Sequence, residues 1–313
     1  MNYETLYNSI QAYAENTESL FVSNIPVFVQ EAETRIYNSV QIPALRKNVT
    51  GTITAGNQYI SLPDDWLSNY SIAVIDSSNN YNYLINKDVN YLREAYPSVV
   101  YTPPAYQGTP QAVPKYYALF GPQYTSTNEM SLMVAPTPSE SFNVEMHYYY
   151  YPPTIVQGMI TDLALTWNSG SLYTNGVYQN VPLTGGNGVG AYADIVIMGQ
   201  AITSITLKFG GNFYVAGDLL SCSSLGLTGS GFQIGVRSIS SSTGTSWLGD
   251  NYDPVLFYGA MREAVIFMKG EADMVGYYEK MYQEALVQLK RLGDGLERGD
   301  SYRDGQTKLV VNS

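Results

Sequence analysis

The 313-residue sequence is poor in the side chains that most often carry chemistry. It holds one cysteine, Cys222, and one histidine, His147. A single cysteine excludes an internal disulfide framework and a thiolate metal cluster. A single histidine excludes a multi-histidine metal site. Charge is also scarce, at 14% of residues, and its acidic excess leaves a net charge of −11. A chain of that sign does not hold nucleic acid by neutralising phosphates, although DNA can pass beside it. No stretch approaches the roughly 20 apolar residues of a membrane span. The opening MNYETLYNSIQAYAENTESL lacks the basic start and apolar run of a signal peptide. The expectation is a soluble protein made in a reducing cytoplasm, with no membrane partner, no cofactor and no metal. The sequons at Asn48 and Asn69 then read as chance matches.

What the chain has in abundance is tyrosine, with 29 copies, and glycine, with 28. Residues 3–14 read as a short helix with Leu6, Ile10 and Tyr13 on one side. A second helix is expected after Asn24 and Pro26, with Ile25, Val29, Ala32, Ile36 and Val40 at helical spacing. From about residue 48 the period changes to two. VTGTITAG and NQYISLP are separated by a hairpin-like Gly56–Asn57 join, and SIAVI and YNYLI flank the turn DSSNN. Asp88 caps a short helix over 88–96, and strands resume at KYYALFG, EMSLMVAP and FNVEMHYYYY.

Residues 157–245 hold more than half of the glycines, and between Leu163 and Leu248 the only charges are Asp194, Lys208, Asp218 and Arg237. Short alternating runs between glycine turns point to an all-β module inserted into a host domain. Helix returns at DNYDPVLFYGAMREA, where Asp253 is expected as N-cap and Pro254 as first helical residue. That helix is apolar most of the way round and must be covered on several sides. Met274, Tyr278, Met281, Ala285, Leu289 and Leu292 form the stripe of a final helix, expected to close at Gly293 and Gly295. The fold class read from this is α+β: a helical bundle from the N- and C-terminal helices, a central antiparallel β domain and an inserted all-β domain. The boundaries are 1–47 for the N-terminal helices and 48–156 for the β core. They continue as 157–245 for the insert, 246–293 for the C-terminal helical pair and 294–313 for an extended tail.

No motif argues for catalysis, and the chain is expected not to be an enzyme. TGGNGVG (184–190) resembles a phosphate-cradling loop, but a strand follows it where the mechanism needs a helix, so it reads as a β turn. His147 sits in an alternating strand with no activated nucleophile motif in the chain. Carboxylates that could work as a glycosidase pair, Asp194 with Asp218 or Asp64 with Asp65, lie at turns and strand ends. The tyrosine run 148–151 could stack bases or sugars, but tyrosine is also a strand former and an interface residue.

ISLPDDW (60–66), PKYYALFG (114–121) and SLMVAPTPSESFNVEMHYYYYPP (131–153) resemble the β core of tailed-phage head-to-tail adaptor proteins. WLGDNYDPVLFYGAMREAVIFMKGEADMVGYYEKMYQEALVQL (247–289) is similar to their C-terminal helical pair. The resemblance covers most of 1–156 and 246–313, and the 157–245 segment is similar to glycine-rich β modules of phage structural proteins. It implies a virion protein at the head–tail interface, assembled in the host cytoplasm: a homo-oligomeric ring of twelve under the portal protein. Viral DNA would pass through its lumen without sequence-specific binding, and tail nozzle, tube or fibre proteins would attach to it. The implied portal or subunit interface comprises Leu256, Phe257, Tyr258, Met261 and Phe267, together with the tail residues Tyr302, Arg303, Lys308, Leu309, Val310 and Val311. The rival reading is a fibre-like protein that binds or degrades host glycans, which predicts trimers and glycan affinity.

Overall fold

The computed structural model describes residues 1–96, 112–122, 130–222 and 229–304, with side chains to residue 295. In chain order the helices α1 (Tyr3–Ala14) and α2 (Ser19–Ser39) come first. Strands β1 (Arg46–Ile53), β2 (Tyr59–Ser61), β3 (Trp66–Ile75), β4 (Tyr81–Tyr83) and β5 (Ile85–Asn86) follow, then α3 (Val89–Ala95). Next are β6 (Tyr116–Pro122), β7 (Met130–Ala135), β8 (Phe142–Tyr150), β9 (Ile160–Leu163), β10 (Asn168–Ser171) and β11 (Gly176–Thr184). The chain continues through β12 (Val189–Met198), β13 (Ala201–Asn212), β14 (Leu219–Cys222) and β15 (Ser230–Ile239), and ends in α4 (Trp247–Asn251), α5 (Asp253–Phe267) and α6 (Ala272–Asp304). Two compact units result. Residues 42–152 form one; residues 1–41 and 153–313 form the other.

The expected fold class is corrected. The chain is mixed, about 33% helix and 39% strand; β structure dominates, a nearly closed barrel is present, and no helical bundle is evident. The two ends of the chain do share a unit, but they share it with the glycine-rich strands instead of forming a separate bundle beside an appended β module. The physical reason lies in burial. Tyr3 of α1 is fully buried, and its phenol accepts a hydrogen bond from Asn212 at the end of β13 (3.1 Å). Its ring and that of Tyr7 pack on Phe213 at 5.4 and 5.3 Å. The Tyr3 backbone N–H donates to Gly244 (2.8 Å), and the Gln30 side chain of α2 reaches the Met159 sulfur (2.8 Å). Tyr3 of the first helix is thus buried against the end of β13.

The glycine-rich region forms one seven-stranded sheet in the order β10-β15-β14-β11-β12-β13, with β9 also paired to β15. It curls until its ends approach. The Trp167 indole donates to the Ile202 carbonyl in β13 (3.4 Å), and the Tyr173 N–H to the Gln200 carbonyl (3.1 Å). Ala191, Ala193, Ile195 and Ile197 alternate inward along β12 to meet Phe232 and Ile234 of β15. Glycine is required where backbones nearly touch. At Gly158 φ is +64° and a Cβ would lie 2.4 Å from the Tyr214 carbonyl oxygen; at Gly210 it would lie 2.2 Å from that of Ile160. TGGNGVG is the β11–β12 turn, as expected, and the Asp218 carboxylate holds it by accepting from the Asn187 N–H (3.0 Å) and side-chain amide (2.9 Å).

In the unit 42–152, one antiparallel sheet runs β1-β8-β3-β4 and a second runs β2-β7-β6-β5, with β5 and β6 parallel. Phe142, Val144, Met146 and Tyr148 of β8 alternate inward and share a core with Leu132 and Val134 of β7. The β3–β4 hairpin forms as expected, with Ala73 opposite Tyr83, and Asp88 caps α3 through the Asn90 N–H (2.8 Å). The Gly56–Asn57 join is not a hairpin. Ile53 pairs with Phe142 in one sheet and Tyr59 with Met133 in the other, so the turn carries the chain between sheets.

Helix boundaries differ from expectation at three points. Pro26 lies inside α2, which begins at Ser19; Asn24 does not cap but donates its side-chain amide to the Leu20 carbonyl (2.7 Å). Tyr252, not Asp253, is the N-cap of α5, because α4 runs up to it. Helix α6 passes through Gly293 and Gly295 to Asp304, so residues 294–304 are helical where an extended tail was expected.

Candidate functional site

Helix α5 answers the question its sequence poses. It packs against α1, α2, α4 and α6. Gly259 makes the crossing close: a Cβ there would lie 3.0 Å from that of Ala32 in α2 and 3.3 Å from the Tyr282 ring in α6. The two charges that interrupt the apolar sequence bridge the same neighbours. Glu263 accepts from Arg35 of α2 and from Arg262, both at 2.7 Å, and Arg262 pairs with Glu279 of α6. The Gln283 amide, then Arg262, hold the Glu279 carboxyl below its ordinary range.

Of the residues expected at an interface, Leu256 and Met261 are fully buried against these helices and are core residues of the protomer. Phe257, Tyr258 and Phe267 reach the surface. Phe257 meets Tyr13 edge-on at 5.0 Å and Tyr258 at 5.5 Å, and Tyr13 is 65% exposed. With Met1, Ser9, Asp253 and Pro254 they line an open pocket of about 270 Å³. Phe267 packs on Phe28 (5.2 Å) and remains 40% exposed. Tyr302 and Arg303 lie on α6 with side chains outside the described residues, and Lys308, Leu309, Val310 and Val311 lie outside the described residues altogether.

Tyr13, Tyr277 and Met274 join the exposed apolar set although helical spacing places Tyr13 and Met274 on buried stripes. The buried face of α6 keeps Tyr278, Ala285 and Leu289 of the expected stripe and adds Tyr282 and Leu286, while Leu292 is exposed with Met274. Tyr282 and Leu286, one helical turn apart, were the missed signal.

One acidic group is deeply buried in this unit. Glu33 of α2 accepts from the Thr154 hydroxyl (2.6 Å) and the Ile155 N–H (2.9 Å), and burial pushes its carboxyl up to about 7 against those hydrogen bonds. Both partners are fixed loop groups, so Glu33 acts as a clasp on residues 154–155.

The unit 42–152 concentrates its polar chemistry around the tyrosine run. Tyr148 donates to Asp65 (2.8 Å), and burial followed by that carboxylate pushes its phenol up to about 12. Lys47 pairs with Asp65 at 2.5 Å and lies 4.1 Å over the Tyr150 ring. Burial opposes ionisation of Asp65, but Lys47 and Tyr148 hold its carboxyl below the ordinary value. Arg46 donates to the Tyr149 hydroxyl (2.8 Å) and stacks 3.7 Å over Tyr70, which a bulge in β3 turns outward. Cations over tyrosine rings on a strand are stabilising packing, and they occupy the faces a base or sugar would stack on.

The other candidates are occupied structurally. His147 faces Glu145 at 3.0 Å as an ordinary β8 residue. Asp194 accepts from the Asn180 N–H and pairs with Lys208, and Asp218 ties two turns together. No group of three metal-ligating side chains occurs among the described residues, and no helix among them is long and apolar enough to cross a membrane.

A family model described as SU10 adaptor protein matches residues 1–179, more than half of the chain. The chain belongs to the SU10 adaptor protein family. It is a phage adaptor-type structural protein and a virion component that interacts with other virion proteins. No curated protein matches the chain. The adaptor match does not stop at residue 156, where the expected insert would begin; it continues through β9 and β10 and ends within β11.

Proposed function

We propose that this adaptor forms a ring of twelve copies between the portal and the tail of the phage particle. Its lumen gives DNA a channel, and its outer surfaces receive tail nozzle, tube or fibre proteins. Beyond family membership, the observation that carries the reading is the aromatic cluster in which exposed Tyr13 (65%) meets half-buried Phe257 and Tyr258, together with exposed Met274 (47%) and Tyr277 (55%) on α6. Soluble monomers rarely leave such apolar groups together at the surface without a partner, and Tyr, Phe and Met are the residues interfaces favour. Phe257, Tyr258 and Phe267 are assigned to contact the portal or the neighbouring subunit, joined by Tyr302, Arg303 and the Lys308–Val311 segment. A net charge of −11 suits a channel wall that offers DNA few phosphate partners.

The test is the mass of the purified protein alone and mixed with a portal ring. A ring-sized complex on the portal is expected. Phe257→Asp with Tyr258→Asp should weaken that complex at least tenfold, and deletion of 301–313 should weaken it with the fold retained. A compact trimer that ignores the portal and binds glycans would overturn the reading in favour of a fibre-like protein.

A further inference from the structure

We propose that the sheet β1-β8-β3-β4 continues from one copy of the chain to the next, the β4 edge of one copy pairing with the β1 edge of its neighbour. The inference deepens the ring reading above and rests on it.

The two edges are open in different ways. Among the described residues, neither β1 nor β4 pairs with a further strand. β1 is exposed from Lys47 to Thr52 on both of its faces. Its register with β8 is regular over eight residues, with no bulge and no proline. Long regular edges are usually blunted by such devices or covered. Its two cations, Arg46 and Lys47, sit at one end and are engaged by Tyr149 and Asp65.

The inner face of β1 is also unfinished. Val49 and Gly51 point inward, opposite Met146 and Val144. Val49 is nevertheless 38% exposed, and a Cβ at Gly51 would meet nothing within 4 Å. A cleft of about 300 Å³ opens there between β1 and β2, and Ile72, Val144 and Met146 reach it from the core. The sandwich is unsealed along this edge. The opposite edge has the complementary surplus: Tyr81 (50% exposed) and Tyr83 (66%) stack at 6.4 Å, and Ile85 beside them is 58% exposed.

Strand direction makes the two edges compatible. All three pairings in the sheet are antiparallel, so its outer strands run in opposite directions. A head-to-tail repeat of a four-stranded antiparallel sheet therefore joins antiparallel at every junction. The levels match as well. Thr50 lies level with Glu145, Ala73 and Tyr83; Thr52 lies level with Asn143, Ile75 and Tyr81. An unstaggered junction sets Tyr83 beside Thr50 and Tyr81 beside Thr52 on the outer face, the aromatic and β-branched neighbours that stabilise cross-strand pairs. It also sets Asn82 beside Gly51 and Leu84 beside Val49, at the mouth of the cleft. The contact uses two different surfaces of one chain. Such heterologous contacts close into rings when the rotation per step allows it, and sheet twist supplies a rotation.

The test uses the full chain, whose one native cysteine, Cys222, is buried. Thr50→Cys and Tyr83→Cys are made singly and together, oxidised alone and with a portal ring, and run without reductant. The double variant should give a ladder of covalent multimers that reductant collapses, with neither single variant doing so. Ring-sized assembly in which the double variant cross-links no better than the singles would overturn the edge pairing and leave the ring reading intact. Dimers from Thr50→Cys alone would overturn it in favour of a two-fold contact. A protein that stays monomeric both alone and with the portal would overturn both readings. Tyr83→Lys checks the same contact independently. It should lower assembly at least tenfold with an unchanged circular dichroism spectrum, and unchanged assembly counts against the proposal.

Discussion

Residues 160–239 and the strands β1, β8, β3 and β4 are both mainly antiparallel sheet, yet they treat their edges oppositely. The first curls until β10 nears β13, and Trp167 and Tyr173 donate across the gap to the Ile202 and Gln200 carbonyls. The second stops at β1 and β4 with exposed backbone on one side and exposed tyrosines on the other. Closure removes the unpaired groups that invite another chain, and it demands backbones that nearly touch, which is what the glycines at 158 and 210 permit. An open sheet needs no such glycines and keeps its edges for another use.

The largest effect should come from removing the closed sheet. Deleting 160–239 strips the Asn212 and Phe213 partners of Tyr3 and Tyr7 and the strands β12 and β13 that α2 touches, so α1 and α2 lose cover. The unit containing α5 is then expected to lose its cooperative unfolding transition, while 42–152 keeps its own. Hydrogen exchange of the α5 amides checks this; persistent protection would show the sheet to be an independent appendage. A smaller break is Tyr3→Ala, which empties a fully buried site and should cost about 4 kcal/mol in a urea titration.

How far these features could be read in advance follows from what each depends on. The tyrosine-run strand, the β3–β4 hairpin, the Asp88 cap and the glycine turn at 184–190 rest on local periodicity and turn chemistry, and all were legible. The central place of α5 was legible too, since a helix apolar on every side has few solutions. The identity of its neighbours was not, because Tyr3 and Asn212 are 209 positions apart and neither shows its partner. The same limit turned a helix-and-sheet unit into an expected bundle with an insert. Of the interface residues, Leu256 and Met261 differ from Phe257 and Tyr258 only in which way the helix faces them, and that is decided by α2 and α6.

Acid and base should separate the two units. Glu33 in the unit with the closed sheet has a folded pKa of about 7, above the ordinary 4.5. Its proton is held longer folded than unfolded. Stability is therefore full below about 4.5, falls as pH rises from there to about 7, and is level above that, a loss of about 3 kcal/mol. Asp65 in the other unit has a lowered pKa, so its contribution is present above the ordinary aspartate value and is lost as pH falls through the folded one. Denaturant midpoints read unit by unit at pH 5, 6 and 8 should decline for the first and hold for the second, and Glu33→Gln should flatten the decline. A decline that survives Glu33→Gln would assign it to another group.

The smallest folding effect offers the finest test of whether open edges are there for assembly. Thr50 on β1 and Ser204 on β13 are both exposed strand residues. A lysine at either position removes no core contact and should change stability by less than about 0.5 kcal/mol. On the closed sheet it has nothing further to disturb. On β1 it places a charge where a neighbouring tyrosine would lie and should lower assembly, read as the concentration at which rings form on the portal. Equal behaviour of Thr50→Lys and Ser204→Lys would mean that the difference between the two sheets concerns folding alone.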